Sequence, residues 1–274
     1  MKGKTVTILL VLVLIAGVTV VLYPIVSNYW NAMHQSRVVA DYSKSVSSLT
    51  QADYTQYFEA ADQYNRSLLA SDTAFDTDDW TDAQNEAYES LLSVDGSQVM
   101  ATLEIPVIGV KLPVYHGTDE SVLQVGIGHI KGSSLPVGGE STHCVLSGHT
   151  GLPSAQLLTN LDQMKTGDLF YLTVLDRTLV YQVDQILVVE PDDIDPLAIV
   201  PGEDYVTLVT CTPYGINSHR LLVRGTRIYP EEQEQTVVLT SDAHTVNVWL
   251  SIALFGAPVL LICLIVYLIF RKRK

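Results

Sequence analysis

Three short stretches hold the residues that could do chemistry. They are Cys144-Val-Leu-Ser-Gly-His-Thr-Gly151, Thr210-Cys211-Thr212 and His219-Arg220. Together they offer a thiol, an imidazole and a guanidinium, the parts needed to move an acyl group. A free thiol has a pKa of about 8.5, so it attacks a carbonyl only when a neighbouring base or cation favours the thiolate. His149 can supply that help. It lies between Ser147-Gly148 and Thr150-Gly151, on a turn after an apolar run, where glycines let a substrate backbone come close. Cys211 follows the apolar run 206–210 and precedes Pro213 and Gly215, again at a strand end. Arg220 comes nine residues after Cys211 and starts the next apolar run. A connection of that length returns Arg220 beside Cys211, where its rigid fork can donate to a carbonyl oxygen as negative charge develops.

Each member has a plainer reading when taken alone. A lone His in a turn is more often structural than catalytic, and an Arg that opens a strand is usually a surface cation. Cys144 and Cys211 could form a disulfide if both are exported. Against this, Cys144 sits inside an apolar run with no turn neighbours and reads as a small core residue. Cys263 lies in a long apolar stretch and reads as packing. The other histidines, His116, His129 and His219 among them, read as core or surface residues. No pair has ligand spacing such as Cys-x-x-Cys or His-x-x-x-His, so neither metal nor cofactor is expected.

The elements that must position these groups are mainly strands. Met100–Ile105 alternates, and apolar β-branched runs follow at 107–110, 111–115, 143–146, 168–175, 178–189, 205–210 and 220–229. The spacing of Leu157, Leu158, Leu161 and Met164 predicts one helix over 154–165. Seven or eight short strands with one helix suggest a closed barrel. Ahead of it, 31–69 lacks Pro and Gly and reads as one or two helices with a narrow apolar stripe. An acidic loop over 71–82 carries Phe75 and Trp80, which should dock on the main domain. Thr81 or Asp82 should cap a helix over 83–92.

The chain has 274 residues and a formal charge of −14. Thr5–Val26 and Val246–Phe270 contain no charged residue, and each is long enough to cross a hydrocarbon core of about 30 Å. Lys2 and Lys4 precede the first, and Arg271–Lys274 follow the second, so both termini should be cytoplasmic. The first span could instead be a cleaved signal peptide. Residues 28–245 hold all 30 acidic residues and 10 of the 16 basic ones, a formal charge of −20. Such a surface argues against nucleic acid as a partner. The expected organisation is an anchor or signal segment (1–27), a helical segment with the acidic loop (28–95), the barrel (96–230), a linker (231–245), a second span (246–270) and a basic tail (271–274).

The blocks Ser-Gly-His-Thr-Gly at 147–151, Thr-Leu-Val-Thr-Cys-Thr-Pro-Tyr-Gly-Ile-Asn at 207–217 and Ser-His-Arg-Leu-Leu-Val-Arg-Gly at 218–225 resemble the signatures of sortases. These are cysteine transpeptidases of Gram-positive cell surfaces. The resemblance is closest to the pilus-building class C and covers Leu103–Tyr229. It implies a closed eight-stranded β-barrel flanked by two transmembrane helices. It also implies Cys211 as nucleophile, His149 as general acid/base and Arg220 as donor to the substrate carbonyl. Class C enzymes carry a lid with an Asp-Pro-aromatic motif. Asp78-Asp79-Trp80 matches it with Asp in place of Pro, and Asp72–Phe75 is a second match. On that match Asp78 would pair with Arg220 and Trp80 would cover Cys211. The implied substrate is a Leu-Pro-x-Thr-Gly-like signal, and the implied partners are pilin subunits whose Lys amine accepts the acyl group. A monomeric enzyme is expected. A wall-anchoring sortase and a disulfide-stapled surface module remain as alternatives.

Overall fold

The computed structural model describes residues 2–69, 75, 77 and 80–229. The expected second span at 246–270 lies outside the described residues. Helix α1 runs from Lys2 to Ser47, continuing through Pro24. Helices α2 (Gln51–Leu69) and α3 (Asp82–Ser90) follow. The barrel strands are β1 (Val99–Ile105), β2 (Val110–His116), β3 (Ile127–His129), β4 (Thr142–Ser147), β5 (Leu169–Val174), β6 (Arg177–Val189), β7 (Asp204–Thr212) and β8 (His219–Ile228). A short helix α4 (Glu120–Leu123) lies between β2 and β3. The sheet closes in the order β1-β2-β3-β4-β7-β8-β6-β5, as the barrel expectation required.

The expected helix over 154–165 is not there. The segment is a series of turns with a single 3-10 turn at Leu161–Gln163. Leu157, Leu158, Leu161 and Met164 are all buried, so their spacing did report a core-facing stretch. Leu157 adopts φ +40°, which no right-handed helix can contain. Ile127–His129, outside the apolar runs read from the sequence, forms the short strand β3, paired with both β2 and β4.

Strand alternation fills the barrel. Leu103, Leu146, Leu172, Val206, Leu208, Leu221 and Val223 belong to one buried cluster. Phe170 stacks on Tyr181 with ring centroids 5.6 Å apart. Gly225 makes room for this pair, because a Cβ there would sit 2.5 Å from the Phe170 ring.

The helices are pinned on the barrel by polar contacts as well as apolar ones. Tyr42 Oη donates to Met100 O at 3.0 Å and accepts from Leu175 N at 3.0 Å, so α1 bridges β1 and the end of β5. Asn65 on α2 accepts from Leu135 N at 2.7 Å. Helix α3 begins with a full capping box, Thr81 with Gln84. Its Tyr88 is 1% exposed and donates to His129 Nδ1 at 2.8 Å. His129 Nε2 in turn donates to Ser134 O at 2.9 Å, which fixes a neutral tautomer.

Burial pushes His129 down to about 4, because the interior disfavours an imidazolium. His116 and His143 shift in the same direction for the same reason. The unfolded chain therefore binds protons between roughly pH 6.5 and 4 that the folded chain refuses, so stability falls as pH falls through that window. The His129 contribution is about 3 kcal/mol when the window has been crossed completely. Chemical denaturation at pH 7.5 and pH 4.5 should show this loss, and His129→Gln should flatten the pH dependence while lowering stability at pH 7.5. An equal pH slope in parent and variant would exclude His129 as a source.

Candidate active site

The ladder between β4 and β7 is parallel, with Cys144 opposite Val206 and Ser147 opposite Val209. The ladder between β7 and β8 is antiparallel, with Val209 opposite Leu222 and Cys211 opposite Arg220. Side chains alternate faces along a strand. Cys144, Leu146, Val206, Leu208, Leu221 and Val223 face the barrel interior. Val145, Val209 and Leu222 form a separate cluster on the outer face. Cys211 and Arg220 share the parity of Val209 and Leu222, so both belong to the outer face. His149 lies two residues beyond Ser147, just as Cys211 lies two beyond Val209. The order β4-β7-β8 thus sets Cys211 in the middle, with His149 on one flank and Arg220 on the other.

Local contacts fix the turn that carries His149. Gly148 N donates to Val209 O at 3.0 Å, and Thr210 Oγ1 donates to Gly148 O at 2.7 Å. A Cβ on Gly148 would lie 2.7 Å from Ile127 and 2.9 Å from Leu158, so only glycine fits between these buried side chains. After the turn, Gly151 at φ +71° meets the Tyr214 ring, closing the β4 side onto the β7–β8 loop. Arg220 Nη1 donates to His219 O at 3.1 Å, which holds the guanidinium near its own loop. His149 Nε2 makes no hydrogen bond, and the Glu120 carboxylate lies 3.7 Å from it. Nothing in the sequence pattern pointed to Glu120, because it reaches His149 from the four-residue helix α4.

The two cysteines have different surroundings. Cys144 is buried and burial pushes its thiol well above the ordinary range, so it stays protonated and inert. Cys211 is partly exposed. They face opposite sides of the sheet. Cys211 lies five residues beyond Val206, the partner of Cys144, which is roughly 16 Å at about 3.3 Å per residue. A disulfide needs Cα atoms within about 7 Å, so the stapled-module alternative is overturned.

The lid expectation needs correcting for Trp80. It immediately precedes the N-cap Thr81, at the start of α3. There its ring lies edge-on to Tyr88 at 5.9 Å, packed against the interior cluster. Phe75 is the aromatic that packs against Val145, Val209 and Leu222 on the outer face. Asp78 lies outside the described residues.

The sortase domain profile matches residues 103–228. The structure of sortase C1 from Streptococcus agalactiae is 48% identical, with a TM-score of 0.67, and the match covers 71% of this chain and all of that one. The structure of sortase C from Streptococcus pneumoniae is 46% identical, with a TM-score of 0.63, over 71% of this chain and 97% of that one. The chain belongs to the sortase family. Sortase A of Streptococcus agalactiae is 29% identical over 141 residues, which is 49% of this chain and 57% of that protein. The chain spans 57% to 65% of the length of three such curated sortases.

Iodoacetamide treatment of the folded sortase chain, followed by peptide mapping, should find Cys211 modified and Cys144 unmodified until denaturant is added. Comparable modification of both in the folded chain would contradict the opposite-face assignment.

Proposed function

We propose that this sortase is a membrane-held cysteine transpeptidase that joins pilin subunits. The observation that carries the reading is the outer-face row, with Cys211 between His149 and Arg220. The Cys211 thiolate attacks the carbonyl carbon of Thr in a Leu-Pro-x-Thr-Gly-like signal. Arg220 donates to the oxygen as it becomes an oxyanion. His149 gives a proton to the leaving Gly amine as the C–N bond breaks, and a thioester to Cys211 remains. A Lys amine of another subunit then attacks the thioester. The new C–N bond forms, the thiolate leaves, and His149 takes up the amine proton. The similarity to the pneumococcal sortase C, a protein described for its pilin substrate specificity, supports pilin as the substrate class.

Helix α1 is long and apolar enough to cross a membrane, and Leu9–Val26 supplies its apolar part. With Lys2 and Lys4 before it and Arg271–Lys274 after the second apolar stretch, both ends are cytoplasmic and the barrel is outside. Phe75, packed against Val145, Val209 and Leu222, covers this end of the cleft.

The full chain should release the C-terminal part of a sorting-signal peptide and ligate the remainder to an amine. Cys211→Ala should abolish both reactions. Arg220→Lys should lose about 10²–10³-fold in kcat/KM, because a point charge does not replace an oriented planar donor. Near-parent turnover by Arg220→Lys would remove Arg220 from the carbonyl. Phe75→Ala should speed alkylation of Cys211 a few-fold, on the order of the loss of one partly buried aromatic contact. Trp80→Ala should lower thermal stability and leave that rate unchanged. The reverse pattern would return the covering role to Trp80.

A further inference from the structure

Helix α1 touches the barrel immediately past its apolar stretch. Ser27 Oγ donates to Pro153 O at 3.3 Å, Asn31 Nδ2 to Ser154 O at 2.6 Å and Gln35 Nε2 to Val125 O at 3.1 Å. Residues 27, 31 and 35 follow one face of the helix at one contact per turn. Ser27 shares its single hydroxyl proton with Pro24 O in its own helix, so Asn31 and Gln35 make the specific attachments.

All three acceptors are backbone carbonyls in irregular segments. Pro153 and Ser154 lie in the loop that leaves His149. Val125 lies two residues past α4, the helix whose Glu120 approaches the His149 ring. The His149 loop is closed at its base by Leu158 N donating to His149 O and Gly151 N donating to Thr159 Oγ1, both at 3.1 Å. Its tip at 153–154 belongs to no strand or helix, and α1 supplies its outside partner.

Close packing is interrupted at this seat. A cavity of about 550 Å³ separates α1 from β1 and β2, between Asn28, Asn31 and Val39 on one side and Glu104, Lys111 and Leu112 on the other. Asn28 Oδ1 is buried at this boundary without a hydrogen-bond partner. The lower part of α1 is therefore held by a few directed hydrogen bonds, while Tyr42 and Val46 bury its upper part.

We propose that Asn31 is a positioning residue for His149. By holding Ser154 O it sets the loop that carries Gly151 and the His149 carbonyl. The stretch of α1 just outside the apolar segment is then a component of the active site and more than a tether. The inference rests on the reading of His149 as the proton carrier.

The test uses the full chain in detergent micelles with Asn31→Ala and Asn31→Gln. The Gln amide keeps the donor, and the cavity leaves room for one more methylene. Asn31→Ala should lower kcat about three- to ten-fold with little change in KM, the size expected for one directed hydrogen bond that acts through geometry. Amides of residues 150–159 should exchange with deuterium faster, while β4 and β7 keep their protection. Asn31→Gln should recover most of both effects. Unchanged exchange at 150–159 in Asn31→Ala would overturn the proposal, and so would faster exchange with kcat intact. A parent chain that cleaves no sorting-signal peptide would overturn the proposed function instead. The exchange comparison, which needs no substrate, would then decide whether Asn31 holds the loop.

Discussion

The site depends on one feature of the sheet, a parallel ladder next to an antiparallel one with β7 common to both. In the parallel pair, β4 and β7 run the same way, so both end at the same rim. In the antiparallel pair, β8 starts at the rim where β7 ends. A strand end, a second strand end and a strand start therefore converge. Cys211 and Arg220 pair across β7 and β8 with the same parity at a sheet spacing of about 4.8 Å, and His149 follows the end of β4 on the other side of β7. A one-residue slip in either ladder would turn a member of this row inward.

Alternation turns Cys144 inward, and hydrogen bonding distinguishes the remaining polar groups from one another. Interior positions carry Cys144 and the packed aliphatic residues, and several polar side chains buried around the barrel have partners at every polar atom. His143 exemplifies this, with Nδ1 donating to Ala198 O at 2.9 Å and Nε2 accepting from Thr207 Oγ1 at 2.7 Å. His149 differs, because its Nε2 has no hydrogen bond and only a carboxylate at 3.7 Å. An imidazole with an uncommitted nitrogen at a rim can carry a proton, whereas one bonded at both nitrogens is a structural strut.

Much of this was legible in the sequence because strands announce themselves by period. The runs at 205–210 and 220–229 became β7 and β8, and residues with turn chemistry on both sides became the rim. Core residues were equally clear, Leu158 and Leu161 among them, but their local conformation was not. Four well-spaced apolar side chains over 157–164 mimic a helical stripe, and only the left-handed Leu157 and the external contact at Ser154 make them a looped stretch. Phe75 and Trp80 both called for a docking site, yet residue type alone did not say that they would pack on different clusters. The hydrogen bonds from α1 were invisible because their acceptors are carbonyls, which carry no residue-type signal.

Continuity of α1 gives the molecule a fixed scale. Tyr42 lies 16 residues beyond Val26, about 24 Å along an unbroken helix at 1.5 Å per residue. The barrel is thus mounted on a rod, at a set height and azimuth. Adding one residue to that rod would turn everything above it by about 100°, whereas adding seven would lift it by roughly 10 Å and restore its heading to within about 20°. A change in the length of this rod that keeps the barrel's heading therefore comes in steps of whole turns, much as a screw changes height only as it rotates.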